Sequence, residues 1–245
     1  MDARAPAAAT SSQPQAGRKI VIGLEGLEVT LPSRAGPVDI LKGVDLSIDQ
    51  GEAVSIVGPS GSGKTTLLMV ISGLERATGG KVSVAGHDLV KLDEDRLAEF
   101  RRDQIGIVFQ SFHLIPAMTA LENVAVPLEF RGSDNAFGEA RAQLERVGLG
   151  HRLDHYPGQL SGGEQQRVAI ARALAAGAKI ILADEPTGNL DQETGQTIMD
   201  LLFELQRTGG TTLVLVTHDP GLAARCNRIV EIRDGLIHSD SRDAQ

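Results

Sequence analysis

Short aliphatic runs alternate along this chain with longer stretches of helical character. The aliphatic runs are typical of buried strands and include EAVSIVG, IGIVFQ, KIILADE and TTLVLVTH. The stretches between them are amphipathic or largely apolar, as in DEDRLAEFRR, TGQTIMDLLFELQRT and KTTLLMVISGL. This alternation predicts an α/β fold whose core is a largely parallel sheet. Nearer the N-terminus, two more strand-like runs predict an antiparallel β side sheet, KIVIGLEGLEVTL and VDILKGVDLSID.

The alternation is interrupted between residues 111 and 160, where helical segments such as FGEARAQLERVGL occur among several prolines. We therefore expect one domain over residues 19–245, with a core of about residues 19–100 and 161–240. Residues 101–160 would form an inserted α-helical subdomain. Residues 1–18 are rich in Ala, Pro, Ser and Gln and lack the apolar segment of a signal peptide, so we expect a disordered tail.

Composition narrows the class of protein. The 245 residues carry a formal net charge of −8, so the chain offers no general basic surface, and we expect no nucleic-acid partner. A single cysteine, Cys226, excludes an intramolecular disulfide and a cysteine-rich metal site. No window approaches the roughly 18 apolar residues of a membrane-spanning helix. Any membrane association should therefore come through another protein.

A phosphate-binding loop is predicted by GPSGSGKTT, residues 58–66, which matches the pattern G-x-x-x-x-G-K-[ST]. It lies between a strand and a helix, a context in which successive backbone N–H groups point at one anion. Lys64 should reach the outer phosphates, Thr65 should ligate Mg²⁺, and Thr66 should bond the inner phosphate. The candidate nucleotide ligands here are Gly58, Pro59, Ser60, Gly61, Ser62, Gly63, Lys64, Thr65 and Thr66. The lysine–threonine pair and both flanking elements argue against a mere glycine-rich turn.

A second anchor for a metal-bound triphosphate is predicted by KIILADEP, residues 179–186. This aliphatic run ends in Asp184 and Glu185, at the edge where open α/β sheets bind ligands. Asp184 would hold Mg²⁺ directly or through water. Glu185, pointing to the other face of the strand, could orient or deprotonate the attacking water. A solvated strand end is the alternative, which the buried-type run leading into the acids weakens.

Together these motifs resemble the ATP-binding cassette of ABC transporters. In chain order they are GPSGSGKTT, Gln110 in IVFQ, LSGGEQQ, ILADE, GNLD and His218 in VTHD. The resemblance covers about residues 19–237 and implies a P-loop NTPase core that hydrolyses ATP with Mg²⁺. The chain is most similar to ATPases of the lipoprotein-releasing and macrolide-exporting type, LolD and MacB, and in particular to the YbbA branch. The segments that carry this narrower resemblance are FQSFHLIPAMTALENVAVPL, LSGGEQQRVAIARAL and LADEPTGNLD.

The segment LSGGEQQRVAIARAL is a second glycine-rich helix start. A phosphate-binding loop fixes a triphosphate on one side only, and another helix N-terminus behind small residues is a natural second anion cradle. The candidate residues are Ser161, Gly162, Gly163 and Glu164. In the family this cradle belongs to the partner subunit, so the resemblance implies a homodimer that sandwiches two ATP. Ser161 and Glu164 also match a capping box, but capping does not explain two glycines.

Three further residues carry over from the resemblance. Gln110 would sense Mg²⁺ and the attacking water, Asp191 would cross the dimer interface, and His218 would contact the γ-phosphate. The implied catalytic residues are Glu185, His218 and Gln110, and the implied Mg²⁺ residues are Thr65, Gln110 and Asp184. Taken singly, a glutamine at a strand end is usually just solvated, so the weight of these residues comes from the whole set of motifs.

An aromatic side chain that usually stacks on adenine in the family is missing here. Its place falls near Leu31, and no aromatic residue or histidine occurs between Lys19 and Gln50. Aromatic stacking contributes about 1 to 3 kcal/mol per base. We therefore expect apolar, weaker recognition of the base and loose discrimination between ATP and GTP.

The resemblance also implies a membrane partner. In the family, the region just past Gln110 receives a cytoplasmic helix of a membrane subunit. An apolar groove here would contain Phe112, Leu114, Ile115 and Met118, although core packing is the alternative for part of this set. We expect an integral membrane, permease-like subunit, with this chain peripheral on the cytoplasmic face of the bacterial inner membrane.

Two classes of function fit these motifs. In the first, dimerisation on MgATP drives a membrane partner that exports or extracts lipids, lipoproteins or hydrophobic compounds. In the second, a regulatory ATPase transmits motion through its membrane partner to a periplasmic enzyme and transports no cargo. A third class, DNA-repair ATPases with this cassette, would need a long coiled coil between Lys64 and Ser161, and no heptad run occurs there.

Overall fold

The computed structural model describes residues 19–34 and 36–242, and the expected tail, residues 1–18, lies outside the described residues. The strands are β1 (Ile20–Ser33), β2 (Gly36–Asp49), β3 (Ala53–Val57), β4 (Gly79–Val84), β5 (His87–Asp88), β6 (Ile105–Phe109), β7 (Ile180–Asp184), β8 (Thr212–Val216), β9 (Arg228–Arg233) and β10 (Leu236–Asp240). The helices are α1 (Lys64–Ile71), α2 (Glu94–Gln104), α3 (Ala120–Phe130), α4 (Ala136–Arg146), α5 (Gly162–Ala175), α6 (Gln192–Gly209) and α7 (Pro220–Ala223), with 3₁₀ turns at Leu89–Lys91 and Pro157–Gln159.

The core is a six-stranded sheet in the order β10-β9-β3-β8-β7-β6. Its strands pair in parallel except for β10, which runs antiparallel to β9 at the edge. The largely parallel sheet predicted from the sequence is therefore confirmed. The segment LIHSD of β10 was not predicted as a strand, because an exposed edge strand does not need an alternating apolar pattern.

A second sheet of four strands has the order β2-β1-β4-β5 and is antiparallel throughout. It is the side sheet predicted for the N-terminal part of the chain. Leu41 of β2 approaches the phosphate-binding loop closely, since a Cβ built on Gly63 would lie 2.7 Å from its Cδ2 atom. The side sheet thus supports the loop from β2.

Both faces of the core sheet are buried, each by its own hydrophobic cluster. Along β7, Ile180 and Leu182 belong to the cluster shared with the side sheet, α1 and α2. Ile181 and Ala183 belong to the cluster shared with α3, α4, α5 and α6. This alternation follows from the two-residue period of a strand. Burial of both faces explains why the parallel strands are continuous aliphatic runs in the sequence.

Helices α3 and α4 lie in the segment where an inserted subdomain is expected, and both pack on α5. Thr119 and Glu122 form a capping box at the start of α3. None of the helices in the described residues is both long and apolar enough to cross a membrane. The segment 110–161, which contains α3 and α4, connects the end of β6 to the start of α5, where LSGGEQQ lies.

Candidate functional site

The phosphate-binding loop joins β3 to α1 and lies against the neighbouring strand. Gly58 has a φ of +144°, and a Cβ there would lie 2.0 Å from the carbonyl oxygen of Ile232 in β9. Only glycine fits at this position. At the other end of the loop, Gly63 is the N-cap of α1 and provides no side-chain hydrogen bond. The first N–H groups of α1 are therefore left for an external acceptor, as an anion site requires.

A cavity of about 460 Å³ opens beside this loop. It is lined by Ile40, Gly58, Ser60, Gly61, Gly63, Lys64, Thr65, Thr66, Gln110, Asp184, Glu185, Val216 and His218. The fold thus brings together most of the loop, the residue that follows β6, the acids at and just after the end of β7, and the histidine after β8. They meet at the carboxyl edge of the parallel strands, where α/β proteins bind ligands.

Seven other predicted nucleotide ligands, all of them described residues, do not line this cavity. They are Pro59, Ser62, Ser161, Gly162, Gly163, Glu164 and Asp191. The hydroxyl of Ser62 is buried and finds no partner within the described part of the chain. The LSGGEQQ segment therefore does not contribute to the nucleotide cavity of its own chain.

Two polar contacts organise the cavity. Lys64 is buried, and its Nζ donates to the carbonyl oxygens of Gly58 over 2.9 Å and Pro59 over 2.7 Å. Thr65 Oγ1 donates to Asp184 Oδ2 over 2.9 Å, joining the start of α1 to the end of β7. Burial raises the pKa of Asp184, and this effect outweighs the hydrogen bond from Thr65. A cation beside Asp184 would offset the cost of burying its charge.

These groups fit a magnesium ion that arrives with a nucleotide. The Thr65 hydroxyl, the Asp184 carboxylate and the Gln110 amide all line the cavity and supply the oxygen ligands that Mg²⁺ prefers. The described residues contain no group of three or more His, Cys, Asp or Glu that could hold a metal ion. Thr65, Asp184 and Gln110 are the residues that would hold Mg²⁺ here.

Glu185 does not follow the strand alternation that we expected. β7 ends at Asp184, and Glu185 turns out of the strand with a φ of +44°. Its carboxylate consequently lines the same cavity as Asp184 and does not point to the other face of the sheet. Its N–H donates to the carbonyl oxygen of Val216 over 3.0 Å, and its Oε2 lies 2.9 Å from His218 Nδ1. The predicted orientation was wrong because the backbone leaves the strand one residue earlier.

Gln110 contacts the GNLD segment of the same chain. Its Nε2 donates to Asn189 Oδ1 over 3.2 Å, and Asn189 Nδ2 donates back to the carbonyl oxygen of Gln110 over 3.1 Å. Asn189 was not among the predicted site residues. The available signal was its place in GNLD, two residues before Asp191. Nothing in the sequence indicates that Asn189 contacts Gln110, which lies 79 positions away.

Ser161 begins α5 with the capping box that its sequence predicts. Its Oγ accepts from the Glu164 N–H over 3.3 Å, and the Glu164 carboxylate accepts from the Ser161 N–H over 2.8 Å. Arg152 binds the same carboxylate over 3.0 Å. The pKa of Glu164 is lowered, chiefly by the backbone hydrogen bond from Ser161. Glu164 thus holds Ser161 in place and presents no free charge to an anion.

The two glycines after Ser161 are explained by packing within the chain. A Cβ on Gly163 would lie 2.5 Å from Thr194 Cγ2, and one on Gly162 would lie 3.1 Å from Leu190 Cδ2. Both contacts are with the first turn of α6 and the segment before it. The close approach of α5 to α6 therefore favours small residues here, most clearly at Gly163, and the anion cradle stays a prediction.

Asp191 lies beside the Glu185 and His218 pair. It is the N-cap of α6, and its carboxylate accepts from the Thr194 N–H over 3.0 Å. It lines a second cavity of about 310 Å³, which Glu185 and His218 also line. The GNLD segment therefore borders the candidate catalytic residues of its own chain.

The bulky apolar residues that line the nucleotide cavity are Ile40 of β2 and Val216 of β8. Leu31, near which we expected contact with the base, packs against the core cluster and does not line the cavity. The hairpin of β1 and β2 contains several register shifts. Each shift changes which side chains face the loop, so the sequence pattern alone could not identify Ile40.

Known proteins are similar to this chain in sequence and in fold. A family profile described as ABC transporter matches residues 41–188. The chain is 51% identical over 206 residues to the ABC transporter ATP-binding protein YbbA of Escherichia coli K12, which covers 83% of this chain and 90% of that protein. It is 50% identical over 207 residues to the macrolide export ATP-binding/permease protein MacB of Bradyrhizobium diazoefficiens, which covers 84% of this chain but 32% of MacB.

A solved structure is also similar to this chain in fold and sequence. It is the dimeric ATP-binding cassette MJ0796 in a post-hydrolysis state, bound to ADP and Pi. The sequence identity to this chain is 45%, with a TM-score of 0.83. The match covers 89% of this chain and 97% of that chain.

Proposed function

Because the chain belongs to the ABC transporter family of ATPases, we propose that two copies close on two MgATP and drive a separate membrane subunit. The observation that carries this is the single cavity in which the phosphate-binding loop, Asp184, Glu185 and His218 meet. The start of α5 lies outside that cavity in its own chain, which supports its use by a second copy. The similar cassette MJ0796 is dimeric.

In this proposal, Lys64 releases its own loop and binds the outer phosphates of ATP. Thr65, Asp184 and Gln110 would hold Mg²⁺, which would neutralise charge on the phosphates. Glu185 orients or deprotonates the attacking water, and His218, which contacts Glu185 over 2.9 Å, reaches the γ-phosphate. Hydrolysis releases the γ-phosphate, the negative group that both copies bind, so the dimer opens.

We infer that the membrane subunit is permease-like and that the chain works on the cytoplasmic face of the inner membrane. The chain matches about a third of a protein named as an ATP-binding/permease protein, which supports a permease supplied by another chain. Just past Gln110, Ile115 exposes 38% of its surface, whereas Leu114 packs against the core. Ile115 is therefore the better candidate for a contact with the partner.

For the cargo, we propose lipids, lipoproteins or hydrophobic compounds, which are exported or extracted by the membrane partner. The identity to MacB, which is named as a macrolide export protein, supports a hydrophobic compound among these. The second candidate is a regulatory ATPase that controls a periplasmic enzyme through its membrane partner. The architecture of that partner distinguishes the two, since a spanning bundle with a central cavity indicates translocation.

A pull-down from native membranes tests the proposal. The bait is the tagged Glu185→Gln variant with MgATP, which should hold the closed state, and co-purifying proteins are identified by mass spectrometry. We expect an integral membrane protein whose recovery is lost in Glu185→Gln/Ile115→Glu. The matched control is Val90→Glu, because Val90 exposes 48% of its surface on the Leu89–Lys91 turn. Recovery of soluble proteins alone would contradict the membrane function and leave the ATPase chemistry untouched.

A further inference from the structure

One buried side chain connects α5 to the turn that carries Glu185. Gln166 of α5 is fully buried, and its Nε2 donates to the carbonyl oxygen of Pro186 over 2.6 Å. The carbonyl oxygen of Phe109, the last residue of β6, lies 3.5 Å from the same nitrogen. Gln166 therefore joins the helix that begins with LSGG to the ends of two adjacent strands, β6 and β7.

The turn that Gln166 contacts is strained. Glu185 has a φ of +44°, which is unfavourable for a residue with a side chain and persists only where neighbouring groups enforce it. The N–H of Glu185 donates to Val216, and its carbonyl oxygen accepts from the Gly188 N–H over 2.9 Å. Pro186 follows with no N–H of its own, so its carbonyl is the next group by which the turn can be fixed.

The surroundings leave the amide of Gln166 one orientation. The groups that face its nitrogen are backbone carbonyls, which accept hydrogen bonds only. Its Oε1 accepts no hydrogen bond from the described residues. Pro186 is buried, so loss of the donor would leave its carbonyl oxygen unpaired and away from solvent. The backbone of the turn would then relax to satisfy that group.

We propose that Gln166 is a positioning residue for ATP hydrolysis, which fixes the Glu185–Pro186 turn and thereby the Glu185 carboxylate. The inference rests on the proposed role of Glu185. Gln166 does not line the nucleotide cavity. It therefore acts on kcat and leaves the binding of ATP unchanged.

The first test compares Gln166→Leu with Gln206→Leu. Gln206 is a matched control because it too is a buried glutamine, exposed by 6%, whose Nε2 donates to two carbonyl oxygens, those of Thr211 and Gly51. It lies near the amino end of β3, away from the cavity. We expect kcat of Gln166→Leu to fall by about 10- to 100-fold with KM for ATP within about twofold, as for a displaced catalytic group. Gln206→Leu should keep its kcat.

The second test uses Gln166→Glu and a pH profile. A protonated carboxyl can donate to Pro186 as the amide does, whereas a carboxylate would repel that carbonyl. Burial raises the pKa of such a carboxyl, so the donating form becomes populated as the pH falls. The ratio of variant to wild-type kcat should therefore rise as the pH is lowered from about 8 to about 6. Groups that are common to both proteins cancel in the ratio, so the ratio reports on the new carboxyl.

Three outcomes would overturn the inference. One is a Gln166→Leu variant with kcat within about twofold of wild type. Another is a loss of kcat in Gln166→Leu that Gln206→Leu reproduces, which would indicate a general loss of stability. The third is a Gln166→Glu ratio that does not change with pH, and this measurement decides the matter if Gln166→Leu fails to fold. If wild type hydrolyses ATP but Glu185→Gln does so equally well, the proposed role of Glu185 fails instead.

Discussion

At the scale of single residues, Glu185 is set apart by its backbone. Its left-handed conformation, with φ of +44°, turns the carboxylate into the cavity beside Asp184 and His218. Replacing Glu185 by Gln keeps the shape of the side chain and removes the carboxylate that is proposed to orient or deprotonate the attacking water. We expect turnover to fall by at least about 100-fold, since general base catalysis contributes on that order. Phosphate release under steady-state conditions measures this.

The control for Glu185→Gln is nucleotide binding, followed by the fluorescence of a labelled ATP analogue. Binding should survive, because Lys64, Thr65 and Asp184 are unchanged. Turnover close to the wild-type rate would mean that another residue positions the water.

A second prediction at this scale concerns the base. The cavity offers the side chain of Ile40 and, among the described residues that line it, no aromatic group other than His218. Without stacking, which contributes about 1 to 3 kcal/mol, ATP and GTP should be hydrolysed with kcat/KM values within about tenfold of each other. Ile40→Ala should weaken the binding of ATP and of GTP to the same extent. A preference for ATP of about a hundredfold or more would contradict this.

At the scale of elements, α5 holds the segment that follows Gln110. Phe112 and His113 both have left-handed backbones, with φ of +59° and +48°. Arg172 donates to the carbonyl oxygens of Phe112 over 2.9 Å and His113 over 2.7 Å. Burial lowers the pKa of Arg172, so its charge is partly withdrawn from water. The same helix therefore contacts the Glu185 turn and the segment after Gln110.

Replacing Arg172 by Met should destabilise this junction. We expect the free energy of unfolding to fall by about 1 to 3 kcal/mol, because two carbonyls lose a charged donor. Urea unfolding gives the value, and hydrogen exchange should accelerate at residues 112–114. Arg207→Met, on the exposed face of α6, should change stability by no more than about 0.5 kcal/mol. Equal stability of the two variants would show that Arg172 does not hold the segment.

At the scale of the whole molecule, the proposed site is complete only in a dimer. Glu185→Gln with MgATP should elute at about twice 25.9 kDa in size-exclusion chromatography with light scattering, and at the monomer mass without nucleotide. Adding Ser161→Arg should abolish the dimer, because a bulky side chain would stand in front of α5 where the second nucleotide binds.

The matched control for Ser161→Arg is Thr119→Arg. Thr119 forms the same capping box with Glu122 at the start of α3, so it loses an equivalent cap. The Thr119→Arg/Glu185→Gln variant should still dimerise. A dimer that persists with Ser161→Arg would contradict the proposed role of the LSGGEQQ segment.

The family, the α/β core and its side sheet could all be predicted from the amino-acid sequence. The reason is that these properties depend on local patterns: aliphatic runs for doubly buried strands, and GPSGSGKTT and LSGGEQQ for helix starts. The sequence also identified Thr65 and Asp184, whose side chains lie 2.9 Å apart. Each belongs to a motif whose neighbours along the chain define its place at the edge of the sheet.

The tertiary structure alone decided contacts between residues that are distant in the sequence. Examples are the hydrogen bond of Gln110 with Asn189, the hydrogen bond of Gln166 with Pro186, and the place of Ile40 in the lining of the cavity. It also decided the direction of Glu185, because one left-handed residue redirects a side chain without changing the pattern around it. Such contacts depend on bulges, turns and helix packing, in which small changes of backbone geometry select the neighbours of a side chain.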